Sequence, residues 1–130
     1  MYDFVDMLIF DCLICNEDRH MGNFGLLVDN KTNKPIKLAP IFDNGLSLFN
    51  YAMDDDFNHL NEYAKTRTPS LAESFDDIAI TFITKRQKEQ LRKLINFKFK
   101  SLSSYKMPAK RIKAIEEFIQ YRVNELLNIK

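Results

Sequence analysis

A helix with apolar side chains on nearly every side opens this chain, over residues 3 to 15. A helix of that kind is buried when the protein folds, so other elements must cover it. No element precedes it in the chain to do so, which favours a part of a domain over a complete one. Asp6 and Asp11 interrupt the apolar run, which is therefore too short and too charged to cross a membrane. The apolar residues are Phe4, Val5, Met7, Leu8, Ile9, Phe10, Leu13 and Ile14.

Length and charge limit the function classes. The 130 residues fit one domain. The 19 basic and 18 acidic residues leave a net charge of +1, a balance that gives no overall attraction to nucleic acid or to an anionic membrane. We therefore predict neither direct nucleic-acid binding nor membrane binding. Basic residues cluster between Lys85 and Lys113, and we interpret this cluster as solvated helix surface.

Cys12 and Cys15 form a lone C-x-x-C pair within the apolar run. Such a pair can be a redox or zinc motif, but no second cysteine pair follows and neither histidine stands at zinc-finger spacing. Two small apolar side chains three residues apart on a buried helix favour core packing. Reduced thiols suit the cytosol, and the N-terminus lacks the basic region and cleavage site of a signal peptide. We therefore predict a cytoplasmic protein.

After the first helix the sequence predicts a polar loop, a hairpin and a long irregular segment. Residues 16 to 25 are polar and hold two of the three glycines, which is typical of a loop. The hairpin pairs an apolar strand at Phe24–Val28 with a return strand at Ile36–Leu38, and the turn residues DNKTNK lie between them. Residues 40 to 69 have little periodicity and predict a long loop with short helical pieces.

Three helices are predicted in the rest of the chain. Two begin with Ser or Thr followed three residues later by Glu or Gln, which is the capping-box pattern. The third begins at a proline suited to a first helical turn and buries a stripe of aliphatic residues. The fold class is therefore mainly α with one small β-hairpin. The predicted starts are Ser70 (with Glu73), Thr84 (with Gln87) and Pro108, the last two helices end near Phe97 and Asn128, and the stripe is Ile112, Ile115, Ile119, Val123 and Leu126.

Chemistry-bearing residues concentrate between residues 16 and 45. Asp18 and Asn23 lie in the loop after the buried helix, and the hairpin then returns the chain to Asp43. Phosphoryl transfer needs one carboxylate to orient or deprotonate the attacking hydroxyl, and a carboxylate and an amide oxygen to hold Mg²⁺ on the phosphates. Because the two ends of a hairpin lie side by side, this one can bring Asn23 and Asp43 together.

The motif D-R-H-x-x-N (Asp18 to Asn23), followed by A-P-x-x-D (Ala39 to Asp43), resembles the HipA-like bacterial serine/threonine kinases. Lipid kinases use a similar first motif, but the run LAPIFDNG that ends at Gly45 favours the HipA group. The resemblance implies that Asp18 is the catalytic aspartate and that Asn23 and Asp43 bind Mg²⁺ or Mn²⁺ and, through it, ATP. It also implies that His20 is a catalytic-site residue together with Asp18, as a histidine that packs beside the metal-binding aspartate.

The resemblance further implies a single protein-kinase-like C-lobe over residues 1–130. Its catalytic loop and metal-binding hairpin would occupy residues 16–45, and residues 70–130 would be the helical remainder. The three glycines all lie in or after the catalytic segment, so no phosphate-gripping loop is expected in this chain. We expect the N-lobe to be absent and the isolated chain to be inactive. The implied partners are ATP, a protein substrate phosphorylated on Ser or Thr, and a separate N-lobe or an antitoxin-like protein, as in toxin–antitoxin pairs.

Several alternatives stay open at this stage. The chain could be a non-catalytic regulatory or binding module that keeps a kinase C-lobe fold. A metallophosphoesterase would use ligands in the order Asp18, His20, Asp43, Asn44, Asn58 and His59, but it needs two metals and more histidines than the two present. His20 is interpreted as shaping the loop. Arg19 either pairs with an acidic group of the later loop or is a plain surface arginine. The acidic residues 54 to 56 are interpreted as a solvated loop.

Overall fold

The computed structural model describes residues 2–100 and 107–130, which form mostly helix with one two-stranded antiparallel sheet. This agrees with the predicted mixture of elements. The described elements are α1 (Tyr2–Ile14), β1 (Leu26–Val28), β2 (Pro35–Leu38), a 3₁₀ turn (Asp56–Asn58), α2 (Leu60–Ala64), α3 (Phe75–Phe82), α4 (Lys85–Arg92) and α5 (Ala109–Asn128).

Helix α1 is buried between α3 and α5, as its apolar composition predicts. Met7 and Cys12 are completely inaccessible to solvent. The helix ends in a turn that uses a left-handed residue, because Cys15 has a φ of 49° and the Asn16 N–H donates to the Asp11 carbonyl at 3.0 Å. This bond satisfies one of the carbonyls that a helix C-terminus leaves open and turns the chain sharply into the polar loop.

The predicted hairpin is present, and it is fastened at its tip and its base. At the tip, the Asp29 carboxylate accepts hydrogen bonds from the Thr32 hydroxyl and from the N–H groups of Thr32 and Lys31. These bonds hold the pKa of Asp29 below its ordinary value. Beyond the strands, the Ala39 N–H donates to the Gly25 carbonyl at 2.8 Å, so the pairing continues towards the loop at residues 18 to 23.

The second half of the chain follows the predicted order with two corrections. The capping box at Ser70 and Glu73 is wrong: α3 begins later, with Ser74 as its N-cap, and the Ser70 hydroxyl instead donates to the Glu17 carbonyl at 2.5 Å. The box at Thr84 and Gln87 is confirmed, but its helix α4 ends at Arg92 rather than near Phe97.

Helix α5 provides the other half of the core and keeps its predicted bounds. It contacts α1, α2, α4 and the 3₁₀ turn. The predicted stripe is buried except at Ile112, which is half-buried. Phe118, outside that stripe, packs edge-on against Phe49 at 4.6 Å between ring centroids. Phe49 therefore connects the long loop to the helical core. No helix in the described ranges is long and apolar enough to cross a membrane.

Both cysteines are buried and unpaired, which confirms their assignment to the core. Burial raises the pKa of each thiol from 9.0 to about 12. Because the reactive species is the thiolate, neither cysteine of the folded protein should react with iodoacetamide at pH 8, whereas both should react in concentrated urea. Mass spectrometry of the alkylated chain measures this, and rapid labelling of the folded protein would contradict the burial described.

Candidate active site

Asp18 and Asn23 meet in a tight loop directly after α1. The Asn23 side-chain amide N–H donates to the Asp18 carbonyl at 2.7 Å, and the same nitrogen lies 3.4 Å from Asp18 Oδ2. Two backbone bonds close the loop: His20 N–H donates to the Asp18 carbonyl, and Asn23 N–H donates to the His20 carbonyl, each at 2.9 Å. The structure therefore brings these two candidate residues into contact.

The amide of Asn23 has a defined orientation. Its nitrogen is engaged by Asp18, while its Oδ1 accepts no hydrogen bond from any residue within 2–100 and 107–130. The residue is only 6% exposed. An oxygen that is held in place without a donor is the kind of ligand that a hard cation such as Mg²⁺ takes. The Oδ1 atom of Asn23 thus has the properties that a magnesium ligand needs.

His20 lies beside the Asp18 carboxylate without a hydrogen bond to it. Its Nδ1 accepts the Gly22 N–H at 3.0 Å, and its Nε2 is 3.9 Å from Asp18 Oδ1. A methyl group added at Gly22 would lie 2.9 Å from the His20 ring, so the exposed ring would have to move away from the loop. This geometry agrees with the interpretation of His20 as a residue that shapes the loop, and it leaves the catalytic assignment of His20 a prediction.

Arg19 joins the loop at residues 18 to 23 to the segment that carries Asp43. Its Nη1 donates to the carbonyls of Asn23 and Phe42, at 2.7 Å each. Its Nη2 donates to the side chain of Asn44 at 2.5 Å. One guanidinium therefore binds Asn23 itself and both neighbours of Asp43, which brings the two candidate metal ligands to the same region.

Asp43 is exposed and has a φ of 55°, a left-handed conformation that aspartate tolerates better than most residues. Its carboxylate makes no hydrogen bond with the residues that the structure describes. The following segment is bound to the end of α1, because Glu17 N–H donates to the Leu46 carbonyl at 3.0 Å and Leu48 N–H donates to the Ile14 carbonyl at 2.7 Å. The backbone of Asp43 is thus fixed on both sides while its carboxylate stays available.

The described residues contain no group of three or more His, Cys, Asp or Glu side chains close enough to hold a metal ion by themselves. Such a group is what the two-metal phosphoesterase alternative requires, so the structure gives that alternative no support. A magnesium site that uses one carboxylate, one amide and substrate phosphates does not require such a group.

Sequence reasoning missed the residue that organises this region. Both expectations for Arg19 were wrong: it is 1% exposed, and its acidic partner is Asp11 on the preceding helix, at 2.8 Å. Asp11 is buried too, and it also accepts from the Asn16 side chain at 3.0 Å. The available signal was Asp11 itself, because a carboxylate inside an otherwise apolar helix needs a buried partner.

Comparison with known proteins finds a kinase over part of the chain. The serine/threonine-protein kinase CtkA of Helicobacter pylori (strain J99 / ATCC 700824) is 45% identical to this chain over 51 residues. That stretch is 39% of this chain and 15% of the kinase, so the chain spans a small part of that relative's length. No family model matches the chain, and no solved structure matches it. The similarity supports a kinase-related origin.

Replacing Arg19 by Met should lower the free energy of unfolding by about 3–5 kcal/mol, because it leaves the buried Asp11 carboxylate without its cation. Urea denaturation of the variant and the wild type measures the difference. The double variant Arg19→Met/Asp11→Leu should be more stable than Arg19→Met, since it contains no unpaired buried charge. Arg92→Met, on the exposed face of α4, is the matched control. Equal losses for the Arg19 and Arg92 variants would contradict the role given to Arg19.

Proposed function

We propose that this chain carries the catalytic loop and the metal-binding segment of a HipA-like kinase, which transfers a phosphoryl group from ATP to a hydroxyl of a protein Ser or Thr. The proposed fold is a protein-kinase-like C-lobe. The observation that carries the proposal is the Arg19 guanidinium, which binds Asn23 and both neighbours of Asp43 while Asn23 binds Asp18. The partial identity to a serine/threonine kinase supports the same reaction class.

Asp18 is proposed to accept the proton of the attacking hydroxyl or to orient it. Its side chain is 38% exposed, so an acceptor can reach it from solvent. The Asn23 amide contacts it from within the loop, and His20 lies at its other oxygen. A carboxylate held between two neighbours keeps one orientation, which is what a general base requires.

Asn23 Oδ1 and the Asp43 carboxylate are proposed to hold Mg²⁺ or Mn²⁺. When bound, the cation neutralises charge on the phosphates of ATP. The residues of this chain would supply the oxygen ligands, and the Asp18 contact engages the Asn23 nitrogen and leaves Oδ1 without a described donor. The bonds of Arg19 to the Asn23 carbonyl and to residues 42 and 44 restrain the backbone segments that carry the two ligands.

The exposed hairpin supports a requirement for a further lobe. Leu26, Val28 and Ile36 are 59%, 47% and 64% exposed, although strands of this composition are usually covered on at least one face. Within the described residues the sheet has two strands. We propose that a nucleotide-gripping lobe, from a longer chain or a separate protein, covers this surface in the active enzyme.

Metal binding can be tested on the chain alone. Titration with Mn²⁺ in a calorimeter should give a weak binding heat that Asp43→Asn abolishes, because that change removes the charged ligand. Glu89→Gln, which removes an exposed carboxylate on α4, is the matched control and should bind as the wild type does. If Asp43→Asn and wild type give identical heats, the metal assignment is wrong.

Activity requires a separate experiment with radiolabelled ATP and a mixed protein acceptor. Residues 1–130 alone should show no phosphoryl transfer, whereas the chain extended by its upstream coding sequence should show it. In the extended protein Asp18→Asn should lower the rate by about 10²–10⁴-fold, the usual contribution of a general base. Strong activity of residues 1–130 alone would refute the need for a lobe. An extended protein that folds, binds ATP and stays inactive would favour the non-catalytic module.

A further inference from the structure

A small cavity with several charged side chains in its lining lies between α2, the start of α3 and the second half of α5, and none of the residues proposed for phosphoryl transfer lines it. Its volume is about 150 Å³. Pockets for drug-sized ligands are larger, at about 300–1,000 Å³, so this cavity suits a small ion or a single functional group. The charged side chains that line it are the cations Lys65, Arg67 and Arg122 and the carboxylates Asp76 and Glu125.

Arg122 gives the cavity a fixed cationic wall. The residue is 7% exposed, and its Nε donates to the Cys12 carbonyl at 3.1 Å. Its Nη1 donates to Asp76 at 2.7 Å and to Glu125 at 3.2 Å. Nη2 makes no hydrogen bond with the part of the chain that the structure describes. In the described residues, every fully buried side-chain nitrogen and oxygen has a hydrogen-bond partner. Because Nη2 has none, it is accessible to solvent, and we assign that access to the cavity, which Arg122 lines.

The Arg122 guanidinium stays charged although it is buried. Burial opposes the charge, but the hydrogen bond and the charge interaction with Asp76 outweigh burial and raise the pKa of Arg122 above its ordinary value. The guanidinium is therefore a permanent and immobile cation. When a ligand binds, the Arg122 side chain loses little conformational entropy, because the two carboxylates and the Cys12 carbonyl already hold its guanidinium in place.

Further residues with hydrogen-bond donors line the same cavity. The Arg67 guanidinium stacks on the Tyr63 ring at 4.7 Å, and its ion pair with Glu17 is long, at 3.7 Å, and partly exposed. Such a pair is weak, so Arg67 can still bind a ligand. The Lys65 ammonium makes no hydrogen bond with a described residue. The first N–H groups of α3, at Phe75 and Asp76, also have no described acceptor, as is usual in a first helical turn.

We propose that this cavity binds a small carboxylate. Planar guanidinium groups and backbone N–H donors match an oxyanion with two in-plane acceptors. The lining contains three cations and two carboxylates, and Glu17 pairs with Arg67 from outside the lining, so the cavity has little net charge. A monoanionic carboxylate is therefore repelled less by Asp76 and Glu125 than a dianionic phosphate would be. The ligand class is therefore a small carboxylic acid or a carboxylate group of similar size.

The probe for this site is acetate, observed by NMR on the ¹⁵N-labelled chain. The amide signals of Phe75 and Asp76 and the Nε–H signal of Arg122 should shift saturably with sodium acetate, and they should not shift saturably with sodium chloride at equal ionic strength. Arg67→Gln should raise the half-saturation concentration about tenfold, the effect of one lost charged hydrogen bond. Arg92→Gln changes the net charge equally and should leave the titration unchanged.

Three outcomes would overturn the proposal. Chloride could produce the same shifts as acetate, which would mean a general salt effect only. Arg67→Gln, in a sample whose NMR spectrum shows that it is folded, could titrate with acetate as the wild type does. Phosphate could bind more tightly than acetate, which would contradict the charge argument. Lys65→Gln, an exposed change, provides the same comparison should Arg67→Gln fail to fold.

Discussion

The ion pair between Arg19 and Asp11 is the constraint on which the rest of the candidate site depends. Both side chains are removed from water, and a buried charge is tolerated only where its hydrogen-bonding groups find partners. The guanidinium has five N–H groups, and all five donate: two to Asp11, one to Asn44 and one each to the carbonyls of Asn23 and Phe42. Because every donor is used, the three segments involved cannot shift independently.

This constraint makes the site rigid before any ligand arrives. The planar guanidinium of Arg19 fixes the directions of its hydrogen bonds as well as their lengths. A lysine at residue 19, with its single ammonium, could not hold α1, Asn23 and the loop at residues 42 to 44 together. The Schellman-type turn at Cys15 directs the chain from α1 towards Arg19. Sites that are held in this way require little reorganisation when a substrate binds, and the interior of the helical bundle supports the geometry at the surface.

The local patterns of the sequence predicted the elements well and their junctions less well. The bounds of α1 followed from an almost continuous apolar run, those of α5 from a starting proline and a periodic aliphatic stripe, and the hairpin from turn residues between two apolar runs. The start of α3 did not, because Ser70 and Ser74 both match a cap by local chemistry, and the bond of Ser70 to Glu17, 53 residues away in sequence, decides between them. Arg19 was missed for the same reason: its partners lie in three segments, and no local pattern encodes their meeting.

The Arg19 hydrogen bonds also help to hold the β1–β2 hairpin in place while its apolar side chains stay exposed. A two-stranded ribbon is marginal in water by itself, and the strand residues of this one are exposed except for the half-buried Leu38, which packs against the core. Its order comes from its ends: Asp29 closes the tip, and at the base the Arg19 bonds hold the segments that leave both strands. Apolar side chains between two fastened ends can stay exposed without the ribbon unfolding. A surface of this kind is suited to association, because covering it removes apolar area from water.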